Sequence, residues 1–180
     1  MRRYIFAVFL TVVGLTVCGV VLGIIVHFIS IEYLNVVRNV PYEALFSGIT
    51  GAVRYGISNG FGGGFFTGAL LGFATIGGIR KIAPVRDLQI AAAIVSAVAF
   101  AFALTGGAGA YAVAKLFGPS FLPEHIALQV GSPYRVMCGY GLEYGAAVGA
   151  IMSSLTMAVW IWRRRLWQSL EKVCQGVPQK

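Results

Sequence analysis

Side chains with chemistry to offer are few in this chain. Only 11% of its 180 residues are charged, and six polar ones, Glu43, Arg54, Glu124, His125, Arg135 and Glu143, fall in or beside two mixed stretches that interrupt long apolar runs. A carboxylate next to an imidazole, as at Glu124 and His125, is the sort of pair whose separated pKa values permit proton transfer. The same residues suit a plainer task, pairing with one another to fasten external helices over a bundle. They are therefore expected to form an external polar site, with no catalytic residue assigned. Cys18, Cys138 and Cys174 make no CxxC and give no metal-ligand spacing. No GxSxG, HExxH or phosphate-binding loop occurs. Neither a metal nor a cofactor is expected, and the chain does not read as an enzyme.

The elements that must position those groups are legible from composition. Hydrophobic residues make up 58% of the chain and mean hydropathy is +0.80, whereas soluble domains carry about 25% charged residues. The apolar residues form four runs, 4–30, 59–79, 88–114 and 141–162, each near the roughly 20 residues that a hydrocarbon core demands. The fold class expected is an all-α integral membrane protein with four transmembrane helices. The first run is too long for a signal-peptide core and lacks a small-x-small cleavage site, so it reads as an uncleaved anchor. The net charge of +8 lies at the ends of apolar runs, an arrangement that argues against nucleic acid as a partner.

Between the spans, Leu45, Phe46, Ile49 and Val53 follow Pro41 at helical spacing, which predicts an external amphipathic helix within 31–58; a second mixed stretch covers 116–140. Arg163, Arg164 and Arg165 close the fourth run, and Leu166, Trp167, Leu170 and Val173 then share one helical face beside basic residues. That pattern predicts a tail, 166–180, resting as a helix on the cytoplasmic surface.

Within the second run Gly60, Gly64, Gly68 and Gly72 recur every fourth residue, so they share one helix face. Interior glycines weaken a helix in water, but in lipid a groove of missing side chains lets a second helix approach closely. A shift of 81 residues places Gly60, Gly64 and Gly68 on Gly141, Gly145 and Gly149, and Gly72 on Ser153; it also matches Glu43 with Glu124, Arg54 with Arg135 and Thr75 with Thr156. Charged matches in a chain this poor in charge predict a duplication: one membrane domain with repeats at about 1–81 and 82–165, parallel to each other and related by rotation about the membrane normal. Ten lysines and arginines lie on the side of the termini and four, Arg38, Arg54, Lys115 and Arg135, on the other, which places both termini in the cytoplasm.

No Asp, Glu, Lys, Arg or His stands at the middle of any run, where a charge is normally kept for ion or proton movement. The function expected is non-enzymatic: a bacterial inner-membrane protein, held in the lipid bilayer, that binds another membrane protein or assembles with its own copies, as an accessory subunit or immunity-like protein. The alternative is a small channel or carrier for an uncharged or small solute.

Overall fold

The computed structural model describes residues 1–46, 48–76, 83–118 and 122–174. The described residues are mostly helical, with no strand among them: α1 (Arg2–Ile29), a π-helical turn (Tyr33–Val37), α2 (Tyr42–Phe46), α3 (Thr50–Ile76), α4 (Val85–Phe117), α5 (Glu124–Ala127) and α6 (Pro133–Cys174). Three helices are long and apolar enough to cross a membrane: α1, α4 and the Pro133–Glu171 part of α6. The fourth long helix, α3, has 27 residues but falls short on apolarity. Its glycines supply almost no hydrophobic surface, and Arg54 and Asn59 stand in its first half.

Two antiparallel pairs form the bundle, α1 on α3 and α4 on α6; α1 also lies beside α4 and α3 beside α6. Glycine sets the spacing within each pair. A methyl group added at Gly56, Gly60 or Gly64 would fall 2.7, 2.6 or 2.7 Å from the Cα of Val20, Thr16 or Val12, and at Gly68 it would lie 3.0 Å from Val8 Cα. One helix thus steps down the other four residues at a time, backbone against backbone. At the end of this ladder Gly72 faces the ring of Tyr4, 2.6 Å from Cδ2. In the second pair Gly141 meets Ala110 Cβ at 2.6 Å, Gly145 meets the carbonyl carbon of Phe102 at 2.9 Å and Gly149 meets Phe102 Cβ at 2.7 Å. Ser153 is buried and donates to the Gly149 carbonyl of its own helix.

Several features differ from the sequence expectation. The 31–58 stretch is not one amphipathic helix: the chain turns at Asn39 (φ 52) and again at Gly48 (φ 128), so it breaks into the π-helical turn, α2 and the start of α3. Helix α6 does not stop at Arg163–Arg165 but runs on to Cys174. At about 1.5 Å per residue its 42 residues extend roughly 63 Å, well beyond a bilayer of about 40–45 Å. Arg165 continues the helix because it turns inward, buried, and donates to the Ala74 carbonyl at the end of α3. Arg164 pairs at 2.9 Å with Asp87, itself buried at the start of α4. A half-turn about the membrane normal exchanging the two pairs would set α1 beside α6, yet those two scarcely touch; the pairs lie side by side, like helix against like. Gly77, Gly78, Arg80, Lys81 and 175–180 lie outside the described residues.

The core divides into two apolar clusters. One, around Tyr33, Leu34, Leu45, Val136 and Leu142, fills the end of the bundle holding the interhelix loops 30–49. The other, around Leu71, Leu88, Val95 and Ile161, fills the end holding the N-termini of α1 and α4.

Candidate functional site

The first cluster is roofed by a polar constellation centred on Glu143. Helix α6 presents the carboxylate one turn beyond Gly139, where a side chain would strike the Tyr33 ring, 2.6 Å from Cγ. Tyr33 is buried at the start of the π-helical turn, a wide turn form often found at functional positions. The turn is pinned by the Asn35 amide, which donates to the Val40 carbonyl at 2.9 Å, and closed by Asn39 in the left-handed conformation that asparagine tolerates. Arg38 is thereby aimed back at the bundle.

Four side chains converge on the carboxylate. Arg38 holds both oxygens, with Nε 2.9 Å from Oε2 and an ion pair from its terminal nitrogen to Oε1. The Tyr33 hydroxyl donates to Oε2, as does Tyr55 from α3 at 2.7 Å. The Asn59 amide reaches Oε1 at 3.4 Å. Arg38 also lies over the Tyr33 ring, 5.9 Å from its centroid, and Tyr33 meets Tyr140 edge-on at 5.1 Å. Burial first, then the neighbouring carboxylate, pushes the Tyr33 phenol well above its ordinary range. Burial opposes the charge on Arg38, but its bonds to Glu143 and Tyr33 outweigh that and hold the guanidinium more firmly charged than usual. A carboxylate with so many donors in place has little capacity left to accept a proton from a substrate. The arrangement is suited to a clasp, tying the loop after α1 and the α3 flank to α6.

A second carboxylate reinforces the loop. Glu32 accepts from the backbone N–H groups of Gly131 at 3.0 Å and Ser132 at 3.2 Å, just before α6 begins. It joins the two interhelix loops and satisfies donors at a helix start.

Of the six residues expected at an external polar site, the constellation includes Glu143 alone. Glu43, Arg54, Glu124, His125 and Arg135 are exposed, and none takes part in the two ion pairs present among the described residues, Arg38–Glu143 and Arg164–Asp87. Of the eight packing positions, all but Ser153 are glycines facing the partner helix as given above. Sequence reasoning passed over Tyr33, Arg38 and Tyr55. Their contacts with Glu143 join positions 88 to 110 apart, and the only signal was an arginine and two tyrosines in otherwise apolar surroundings.

Beneath the clasp lies a cavity of about 230 Å³, between the two apolar clusters. Its walls are Leu15, Leu22 and Val26 of α1, Ala99 of α4 and Leu142 and Ala150 of α6, while Tyr33, Tyr55, Asn59 and Glu143 stand at the rim. Cys18 borders the cavity and its thiol points to the Ser96 carbonyl at 3.5 Å. Of the span hydroxyls, those of Thr11, Thr67, Thr75, Ser96, Ser153 and Thr156 bond to carbonyls of their own helix. Thr16 and Ser154 have buried oxygens without a partner.

No family model, no curated protein and no solved structure matches this chain.

Proposed function

We propose that the chain is a multi-pass membrane protein, of a bacterial inner membrane, that acts by associating with another membrane protein or with its own copies and not by catalysis. Four crossings fit best. Because α3 lies along α1 from Gly56 opposite Val20 to Gly72 opposite Tyr4, a membrane crossed by α1 is crossed by α3 too. The excess of lysine and arginine on the side of the termini supports a cytoplasmic location for both. It follows that Glu43, Glu124 and the Glu143 clasp face outward, with α2 and α5 as short external pieces and the end of α6 at the cytoplasmic surface. A cysteine at Glu43 or Glu124 should react with an impermeant maleimide in intact cells and one at exposed Arg86 should not; the reverse pattern would overturn the orientation. The duplication is also retained in this reading, since α2 and α5 occur at corresponding places in the two halves.

The observation that carries the association reading is the outer face of α4. Ala93, Ala97, Ala101, Thr105 and Gly109 follow one another at four-residue spacing and all are exposed, while the opposite face, Ala91, Val95, Ala99 and Ala103, is buried in the bundle. Nothing lies within 4 Å of the space beyond Gly109. Lipid tails gain little from so flat a surface, whereas a second helix can approach it closely. Cysteine pairs at Ala97 or Ala101 should crosslink into dimers, or to one partner in native membranes, and Ala101→Leu should abolish the product without unfolding the monomer. Random, concentration-driven crosslinks unaffected by that leucine would remove the reading.

A channel or carrier for an uncharged or small solute is the second reading, favoured by the cavity at the centre of the bundle. Solute flux in proteoliposomes separates it from the first.

A further inference from the structure

We propose that the cavity below the Glu143 clasp holds one acyl chain of a bilayer lipid, admitted sideways between α3 and α6. The inference rests on the transmembrane placement above and is independent of association through α4. Depth is the first argument. Along α1 the cavity runs from Leu15 to Val26, about 16 Å of helix rise, which is the thickness of one leaflet in a hydrocarbon core of about 30 Å. Lining is the second: Tyr33, Tyr55, Asn59 and Glu143 stand at the outer rim, and below them the walls are aliphatic side chains and glycines, with Cys18 the one further polar group. An apolar cavity of about 150 Å³ accepts benzene, so one of about 230 Å³ with mostly apolar walls has room for part of an alkyl chain.

The way in is the third argument. Gly63 and Ala147 both border the cavity and both are exposed, and beyond Gly63 there is nothing within 4 Å. The α3–α6 flank is therefore open where these two small residues border the cavity. The roof is closed, because the Glu143 carboxylate is held by Arg38, Tyr33, Tyr55 and Asn59. A lipid headgroup remains outside, beside exposed Asn59, while its tail lies within.

The test uses the full chain in vesicles of phosphatidylethanolamine and phosphatidylglycerol doped with a phospholipid whose acyl chain carries a diazirine, and in a parallel arm with the matching diazirine fatty acid. After irradiation, adducts are expected on Leu22 and Leu142 inside the cavity as well as on lipid-facing Phe61. In Ala146→Phe, at a position that lines the cavity beside Leu142, and in Ala147→Leu, which narrows the exposed entrance, the Leu22 and Leu142 adducts should be lost while that on Phe61 persists. Should Ala146→Phe fail to fold, Ala147→Leu alone decides. Labelling by the phospholipid identifies a membrane lipid as the source, and labelling by the fatty acid alone a free acid. Adducts on Phe61 without any in the cavity, or cavity adducts indifferent to the substitutions, would overturn the proposal; absence of adducts even on Phe61 would overturn the membrane placement and the proposal with it.

Discussion

The two glycine seams use the same spacing and pack differently. In the α1–α3 pair, Gly56, Gly60, Gly64 and Gly68 each meet a main-chain atom first at four successive steps, and at Gly72 the nearest atoms are those of a side chain, the Tyr4 ring. In the α4–α6 pair Gly106, Gly141 and Gly145 each meet a main-chain oxygen first, whereas Gly149 meets the Phe102 side chain at 2.7 Å ahead of the Val98 carbonyl oxygen at 3.0 Å. The registers differ as well. Gly64 sits opposite Val12, but Gly145, which follows it by 81 residues, sits opposite Phe102, which follows Val12 by 90. A repeated glycine period therefore dictates which face of a helix packs, while the partner helix dictates where along its length.

The largest expected effect is that of Gly64→Leu. Four heavy atoms would enter a space bounded by the Val12 backbone, which cannot move without separating α1 from α3. Overpacking of this kind typically costs about 1–3 kcal/mol, and here the upper end is expected, read as loss of folded monomer in mixed-micelle unfolding. Gly145→Leu should come close behind it, since Phe102 and Ala103 main-chain atoms lie within 3.1 Å of the added carbon. If Gly145→Leu is tolerated and Gly64→Leu is not, only the first seam governs stability and the symmetry of the two pairs is superficial.

Glu143→Gln should act between the pairs instead of within one. It removes the charge that holds Arg38 and weakens the bonds from Tyr33 and Tyr55, a loss of about 2 kcal/mol. Faster backbone hydrogen exchange is expected in the Tyr33–Val37 turn and the start of α6, with both seams unchanged. Exchange that rises equally along α1 and α4 would contradict a local clasp. Gly149→Ala is milder because only one carbon is added, but Phe102 Cβ at 2.7 Å and the Val98 carbonyl oxygen at 3.0 Å are both fixed by the α4 backbone, so a cost of about 1 kcal/mol is expected, measured by the same unfolding.

What the sequence made legible was local. The apolar runs and the four-residue glycine period lie within single helices, and membrane packing leaves a direct trace in them. The register of each seam was not legible because it depends on which backbone lies opposite. The clasp was not legible because Glu143 collects its donors from the loop after α1 and from α3, and none of Tyr33, Arg38 or Tyr55 has a neighbour in sequence that marks it. Pairing of the exposed residues Glu43, Arg54, Glu124, His125 and Arg135 was an inference from composition; they carry charge toward solvent on short helices and loop ends, while the ion pairs formed use Arg38 and Arg164. The break of 31–58 into separate pieces turns on the backbone at Asn39 and Gly48, and the passage of α6 through Arg163–Arg165 turns on Arg165 finding the Ala74 carbonyl. Hydrophobic periodicity carries neither.

The central claim, that seam glycines are required by backbone approach and not by the helix itself, is tested most directly by adding one carbon at two positions of α3. Alanine is the better helix former by about 0.5–1 kcal/mol, and beyond Gly62 there is nothing within 4 Å, whereas beyond Gly64 the Val12 Cα lies at 2.7 Å. In mixed-micelle unfolding, Gly62→Ala should stabilise the protein by about that propensity difference and Gly64→Ala should destabilise it. Two stabilising substitutions would show that α1 does not approach α3 as closely as described, and the account of the bundle would be wrong.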